Sequence, residues 1–173
     1  MSGVMNLAIG TCIAAVLGAA GAAHFFENSK QNPDRPGVSA AQPASAPAGA
    51  SNTLTLLADR GGHYVSNIQV NGALIKVLVD TGASMVALSH EDAERANIRP
   101  WPNAPTGMAS TANGQVKFTM VRLNEVRLGS LVVRDVEAGI MPKGALQGTL
   151  LGMTFLKRLS KFEMQNGRLI LSQ

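Results

Sequence analysis

Asp80 stands in the segment Val79-Asp80-Thr81-Gly82-Ala83-Ser84, directly after an almost wholly apolar run, Leu74 to Val79 (LIKVLV). The run reads as a buried strand that delivers a carboxylate into a Thr-Gly turn at its end. A carboxylate at the edge of a core is costly unless hydrogen bonds support it. The turn has the means: Gly82 lets backbone amides approach closely, and the hydroxyls of Thr81 and Ser84 reach the neighbouring chain or the acid itself. The chemistry open to such a group is acid or base work by a held carboxylate. The plainer alternative is a β-turn in which Asp80 caps its own backbone.

Two further segments bear on that choice. Leu150-Leu151-Gly152, 70 residues downstream of Asp80, is a hydrophobic-hydrophobic-Gly triplet with a helix candidate behind it. Between them Thr111-Ala112-Asn113-Gly114 forms a hairpin tip flanked by small and polar residues (TGMASTANGQVKF).

Competing chemistries lack their parts. The single cysteine, Cys12, excludes a disulfide framework and thiolate metal sites, and His24, His63 and His90 are too scattered for a ligand cluster. Gly82-Ala83-Ser84-Met85-Val86 departs from the serine-hydrolase G-x-S-x-G elbow at its last position, and Gly148 to Gly152 lacks the Gly-Lys-Ser/Thr of a phosphate loop. The net charge of +4 would interest nucleic acid only if the positive charges clustered. Arg122, Arg127 and Arg134 instead alternate with apolar residues, as on solvated strand faces. Trp101, between Pro100 and Pro102, is expected to pack in a loop.

The elements that must position these residues are mostly β. Asn71-Gly72, Asn113-Gly114 and Asn166-Gly167 each lie between apolar or alternating runs, a strong hairpin signal, and Gly129-Ser130 supplies a further turn. Strands are predicted over Leu54–Leu57, Tyr64–Val70, Leu74–Val79, Val116–Leu123, Leu131–Ala138, Lys161–Met164 and Arg168–Leu171. A helix is predicted from His90 to about Asn97, with Ser89 as its cap and Asp92 completing a capping-box-like pair. A second short helix is predicted over Thr154–Leu159.

The first 52 residues differ. Val4 to Ala23 is twenty residues without a charge, about 30 Å as a helix, and reads as a membrane span, residues 1–26 forming an N-terminal anchor; the rival is a signal peptide cleaved near Gly21-Ala22-Ala23, against which the length of the run and the lack of a preceding Lys or Arg speak. Residues 27–52 are rich in Pro, Ala and Ser and have no aliphatic periodicity, as expected of a disordered linker. The 121 residues from 53 to 173 suffice for one compact domain.

In this order, Asp80 to Ser84, the Asn113-Gly114 hairpin and Leu150 to Gly152 resemble the retropepsin-like aspartic proteases. The stretches VDTGAS, TANG and LLGMTFL are similar to its membrane-anchored bacterial branch, and the resemblance covers nearly all of residues 53–173. It implies an all-β single lobe, a closed β-barrel with one or two short helices. It further implies that Asp80 is the catalytic carboxylate, that Thr81 bonds across to a second subunit, that Gly82 gives backbone support and that Ser84 hydrogen-bonds toward the acid. Thr111, Ala112, Asn113 and Gly114 would form the flap, and Leu150, Leu151 and Gly152 would buttress the active-site loop. The chain extends beyond a minimal retroviral-type protomer by its anchor and linker.

Physical logic agrees. Two carboxylates sharing one proton allow one to act as base on a water while the other polarises the scissile carbonyl. One Asp-Thr-Gly per chain then requires a homodimer, which places Asp80 of both copies at a two-fold axis. The expected activity is a membrane-tethered aspartic endopeptidase acting on peptide or protein, with no metal or other cofactor and no nucleic-acid partner. The alternative is a catalytically inactive, membrane-anchored peptide-binding module on the same fold, against which the intact Asp-Thr-Gly speaks. The expected location is a bacterial inner membrane, crossed once, with the protease domain in the periplasm.

Overall fold

The computed structural model describes residues 52–111 and 114–173. The predicted span Val4 to Ala23, all of the 27–52 linker but Asn52, and the flap residues Ala112 and Asn113 lie outside the described residues. Among the described residues, no helix is long and apolar enough to cross a membrane.

The described chain runs β1 (Thr53–Leu57), β2 (Tyr64–Val70), β3 (Ala73–Val79), β4 (Val86–Leu88), α1 (His90–Arg95), β5 (Thr106–Thr111) and β6 (Gly114–Leu128). It continues with β7 (Leu131–Ile140), β8 (Thr149–Leu151), α2 (Met153–Leu156), β9 (Lys161–Gln165) and β10 (Arg168–Ser172). The strands follow the order β2-β3-β8-β4-β7-β6, and β6 pairs back onto β2 through Gln69↔Arg127 and Val70↔Val126. Six strands thus close into a barrel, which removes the exposed sheet edges. β5 hangs from the first half of β6 as a hairpin arm, and β1, β10 and β9 form a separate three-stranded sheet.

Turn chemistry sets the hairpins. Asn71 and Gly72 adopt φ of 49° and 91° between β2 and β3, and Asn166 and Gly167 adopt 50° and 70° between β9 and β10. Both central residues of such a turn need positive φ, which Asn and Gly tolerate at least cost.

The apolar run before Asp80 has a packing reason. Ile75, Val77 and Val79 join the main core, with residues of β6, β7 and both helices, whereas Leu78 points into a second, smaller core. That second core holds Ala83, Met85, Ala87, Ala109, Phe118, Met141 and Leu150. Only the end that leads into Asp80, Val77 to Val79, is covered on both faces, whereas Leu74 on the outer face is 63% exposed. Under the β5–β6 arm the Phe118 ring lies on bare backbone, since a Cβ at Gly139 would sit 2.6 Å from its Cδ2, and one at Gly107 would also collide with it.

α1 begins as predicted, with the Ser89 hydroxyl accepting the Asp92 amide at 3.1 Å. The reciprocal half of the capping box does not form, because the Ser89 amide donates to Thr149 Oγ1 at 3.3 Å. The helix ends at Arg95 rather than near Asn97: Asn97 turns left-handed at φ 51°, and the Ile98 amide returns to the Ala93 carbonyl at 2.8 Å. Likewise α2 occupies Met153–Leu156 rather than 154–159.

Arg122, Arg127 and Arg134 lie on solvated strand faces as expected, paired with Glu137 and Glu125 at 3.0–3.6 Å. Trp101 departs from expectation. It is 47% exposed, because its carbonyl caps a tight turn to the Ala104 amide and its loop of prolines stands clear of the core.

Candidate active site

The site is built around β8. β3 runs parallel to it (Val77↔Thr149, Leu78↔Leu150, Val79↔Leu151) and β4 antiparallel through Ala87↔Leu150. The loop 80–85 therefore leaves on one side of β8 and returns on the other, and residues of the β8–α2 segment hold both limbs. The Asp80 amide donates to the Leu151 carbonyl at 3.1 Å, and the Met153 amide to the Ala83 carbonyl at 2.9 Å. The Val86 amide donates to Thr154 Oγ1 at 3.0 Å, and that hydroxyl donates onward to the Glu137 carbonyl at 2.7 Å. Gly152 is the point of closest approach: a Cβ there would collide with the Met85 carbonyl and lie 2.7 Å from the Ala83 oxygen. The triplet Leu150-Leu151-Gly152 thus buttresses the Asp80 loop, with the glycine needed for contact.

Asp80 is half-buried, and its two oxygens differ. Oδ1 accepts the Gly82 amide at 2.8 Å, while the Asp80 carbonyl accepts the Ala83 amide at 3.3 Å. The backbone-capping turn is therefore real, but it occupies one oxygen only. Oδ2 is buried without a hydrogen-bond partner, as is Ser84 Oγ, and among the described residues no other buried side-chain N or O atom shares that state. The hydrogen bond expected from Ser84 toward the acid is thus not formed within one chain. Thr81 and Gly82 are exposed.

At the hairpin arm, Thr111 Oγ1 donates to the Gly114 carbonyl at 2.9 Å and closes the tip, and Gly114 takes φ 105°. Of two apolar residues on the arm, Met108 is exposed at 49% and Val116 is half-buried.

Two clusters escape a reading of the sequence by motif. The first is the loop between β1 and β2, where Asp59 Oδ1 accepts the amides of Gly61 and His63 at 2.8 and 2.9 Å and faces His63 Nδ1 at 3.4 Å. Burial pushes the Asp59 carboxyl up, but the His63 and Gly61 amides and the His63 ring outweigh it, and the acid titrates below its ordinary range. The Tyr64↔Val79 pairing sets this loop at the same end of the β2–β3 hairpin as Asp80. The Asp-x-Gly-Gly-His spacing is the signal that points to it. The second is the buried trio Ser89, Asp92 and Thr149. The capping pair marks Asp92, but no local pattern marks Thr149. Among the described residues no three His, Cys, Asp or Glu side chains gather into a metal-type cluster.

The family model for "gag-polyprotein putative aspartyl protease" matches residues 66–158, from the middle of β2 to just beyond α2, Asp80 and Gly152 included. The chain is 38% identical over 108 residues to a Sinorhizobium sp. protein, "Uncharacterized protein in cobV 5'region", covering 62% of this chain and 46% of that one. It is 37% identical over 111 residues to "Uncharacterized protein RP867" of Rickettsia prowazekii (strain Madrid E), covering 64% and 47%. The chain thus spans about half the length of the curated relatives it matches. A crystal structure of a retropepsin-like aspartic protease from Rickettsia conorii is similar to it with a TM-score of 0.62 and 31% identity, over 71% of this chain and 92% of that one. With the barrel, the braced Asp-Thr-Gly loop and the matching segment in agreement, the chain belongs to this family of retropepsin-like aspartyl proteases.

Proposed function

We propose that the protein is an aspartic endopeptidase that hydrolyses peptide bonds with a water activated between the Asp80 carboxylates of a homodimer. One observation carries the reading: Asp80 is fixed through Oδ1 by the Gly82 amide, while Oδ2 is buried and unpartnered, as is the Ser84 hydroxyl of the same loop. A buried carboxylate oxygen without a donor is unfavourable in an isolated chain. A second copy related by a two-fold axis relieves it by bringing an identical acid and one shared proton to the same place. One carboxylate then takes a proton from the attacking water while the other, protonated, donates to the substrate carbonyl. Neither alone performs both tasks, and one lobe carries one Asp-Thr-Gly. In this reading Thr81, exposed beside Asp80, is free to bond to the partner loop, and the β5–β6 arm serves as the flap over substrate.

The uncharged stretch Val4 to Ala23 supports membrane tethering of the enzyme, with the protease domain on the periplasmic side of a bacterial inner membrane. Tethering confines both copies to one plane and raises their effective concentration.

Cleavage of casein or a peptide library at acidic pH, with and without a pepstatin-type inhibitor, tests the activity. The dyad predicts a bell-shaped pH profile with an acidic optimum and inhibition by the pepstatin-type compound. A rate that rises steadily into alkaline pH, insensitive to that compound, contradicts it.

A further inference from the structure

We propose that Asp92 is a positioning residue for the Asp80 loop, acting through the hydroxyl of Thr149; the inference rests on the aspartic-protease reading of Asp80. Thr149 is fully buried and opens β8. Its Oγ1 donates to Asp92 Oδ2 at 2.7 Å and accepts the Ser89 amide at 3.3 Å. Ser89 directly follows β4, the strand that carries the returning limb of the Asp80 loop. One hydroxyl thus ties the start of β8 to the end of β4 and to the first turn of α1. The other Asp92 oxygen is held by Arg95 at 2.6 Å, so both carboxylate oxygens are engaged while the side chain stays 10% exposed.

The tie acts on the catalytic loop through β8. This strand has three residues, too few for its own ladder to fix its position firmly. Yet it and the two residues after it set the Asp80 amide through the Leu151 carbonyl, the Ala83 carbonyl through the Met153 amide, and the Met85 carbonyl through contact with Gly152. A shift of β8 along its axis disturbs all three together, and a one-residue slip would turn its side chains to the opposite face. Apolar packing of Leu150 and Leu151 is non-directional and restrains such a shift weakly. Directional bonds at Thr149 restrain it strongly, because a buried donor or acceptor torn from its partner is costly.

The sequence around Asp92 is consistent with this assignment. A carboxylate at the third helical position normally turns back to the cap residue's amide. Here that amide is taken by Thr149, and the carboxylate faces inward to the same hydroxyl. A carboxylate so placed is costly to desolvate and contributes little net stability, so its advantage lies in geometry.

The test compares Asp92→Asn, Thr149→Val and Thr149→Ser with the wild type in the full-length protein. The kcat is referred to active sites titrated with a tight pepstatin-type inhibitor, so that unfolded molecules are not counted. Asp92→Asn and Thr149→Val are expected to lower kcat by about tenfold to a hundredfold with KM within about twofold, since small misplacement of reacting groups costs this much. Thr149→Ser, which keeps the hydroxyl, is expected to restore kcat to within about threefold of wild type. Amide hydrogen exchange in the same variants reads the geometry without turnover. The Asp80 and Met153 amides should exchange faster while those of the β1–β10 ladder keep wild-type rates. Unchanged kcat per titrated site, or exchange accelerated uniformly over the domain, overturns the proposal and leaves Asp92 a stability role only. If Asp92→Asn fails to fold, the contrast between Thr149→Val and Thr149→Ser decides. A wild type without Asp80-dependent turnover overturns the protease reading instead, and the exchange pattern still decides whether Asp92 positions the loop.

Discussion

Gly152 lies so close to the Met85 carbonyl that no side chain fits between them. The contact joins the residue that follows β8 to the last residue of the Asp80 loop, and it explains why a glycine ends the Leu-Leu-Gly triplet. Met85 and Ala83 offer backbone rather than flexible side-chain atoms, so the clash cannot be relieved by a rotamer change. Gly152→Ala should therefore destabilise the domain by about 1–3 kcal/mol, as overpacking does. It should also reduce peptidase activity more than the unfolded fraction explains. Urea denaturation and activity assays on the same preparation check both.

Phe118 performs a comparable service for the β5–β6 arm. Its fully buried ring rests on the bare backbone of Gly107 and Gly139. Phe118→Ala should cost about 3–5 kcal/mol. Phe118→Leu, which fills more of the space, should cost less. Chemical denaturation of the two variants measures the order, and equal losses would show that the ring's fit to the glycines does not matter.

The loop closed by Asp59 predicts an acid-side loss of stability. Its folded carboxyl titrates below the ordinary value of an aspartate side chain, so the unfolded chain binds the proton more readily. The stabilisation is complete above the unfolded value and declines as pH falls below about 4 toward the depressed folded value. Asp59→Asn should flatten the melting temperature against pH in that window and leave it unchanged in slope near neutrality. Melting curves of both proteins from neutral pH down to about pH 2 would show it.

The proposed dimeric site predicts that activity depends on concentration. A fragment from Thr53 to Gln173 lacks the uncharged Val4–Ala23 segment, and its specific activity should fall on dilution. The full chain in vesicles should resist dilution. Specific activity over about three decades of concentration, with sedimentation in parallel, distinguishes the two.

Local signals account for what was legible in the sequence. Tyr64–Val70 forms as predicted because Asn71-Gly72 fixes the turn that follows it, and Asp80, Gly82 and Gly152 are marked by motif and lie together in the structure. β4 and β8 are not legible as strands, because three buried residues show neither alternation nor length. β5 (TGMAST) is not among the predicted strands, although the Asn113-Gly114 hairpin implies a partner before it, since its small polar residues gain their strand conformation from β6. The Asp92–Thr149 tie joins positions 57 residues apart, and only the folded chain brings them together. Ser84 was expected to bond to the acid, but its unpartnered hydroxyl is a property of three-dimensional placement that residue type does not reveal.

The central claim is that two copies of Asp80 form one active centre, and mixing wild-type protein with Asp80→Asn at constant total concentration tests it most directly. The substitution preserves shape and removes the acid, so the variant should fold, exchange subunits and turn over nothing by itself. After subunit exchange, activity should follow the square of the wild-type fraction, falling to about a quarter at equal mixing. Activity proportional to the wild-type fraction, about one half at equal mixing, or substantial turnover by pure Asp80→Asn, would contradict a dyad shared between chains.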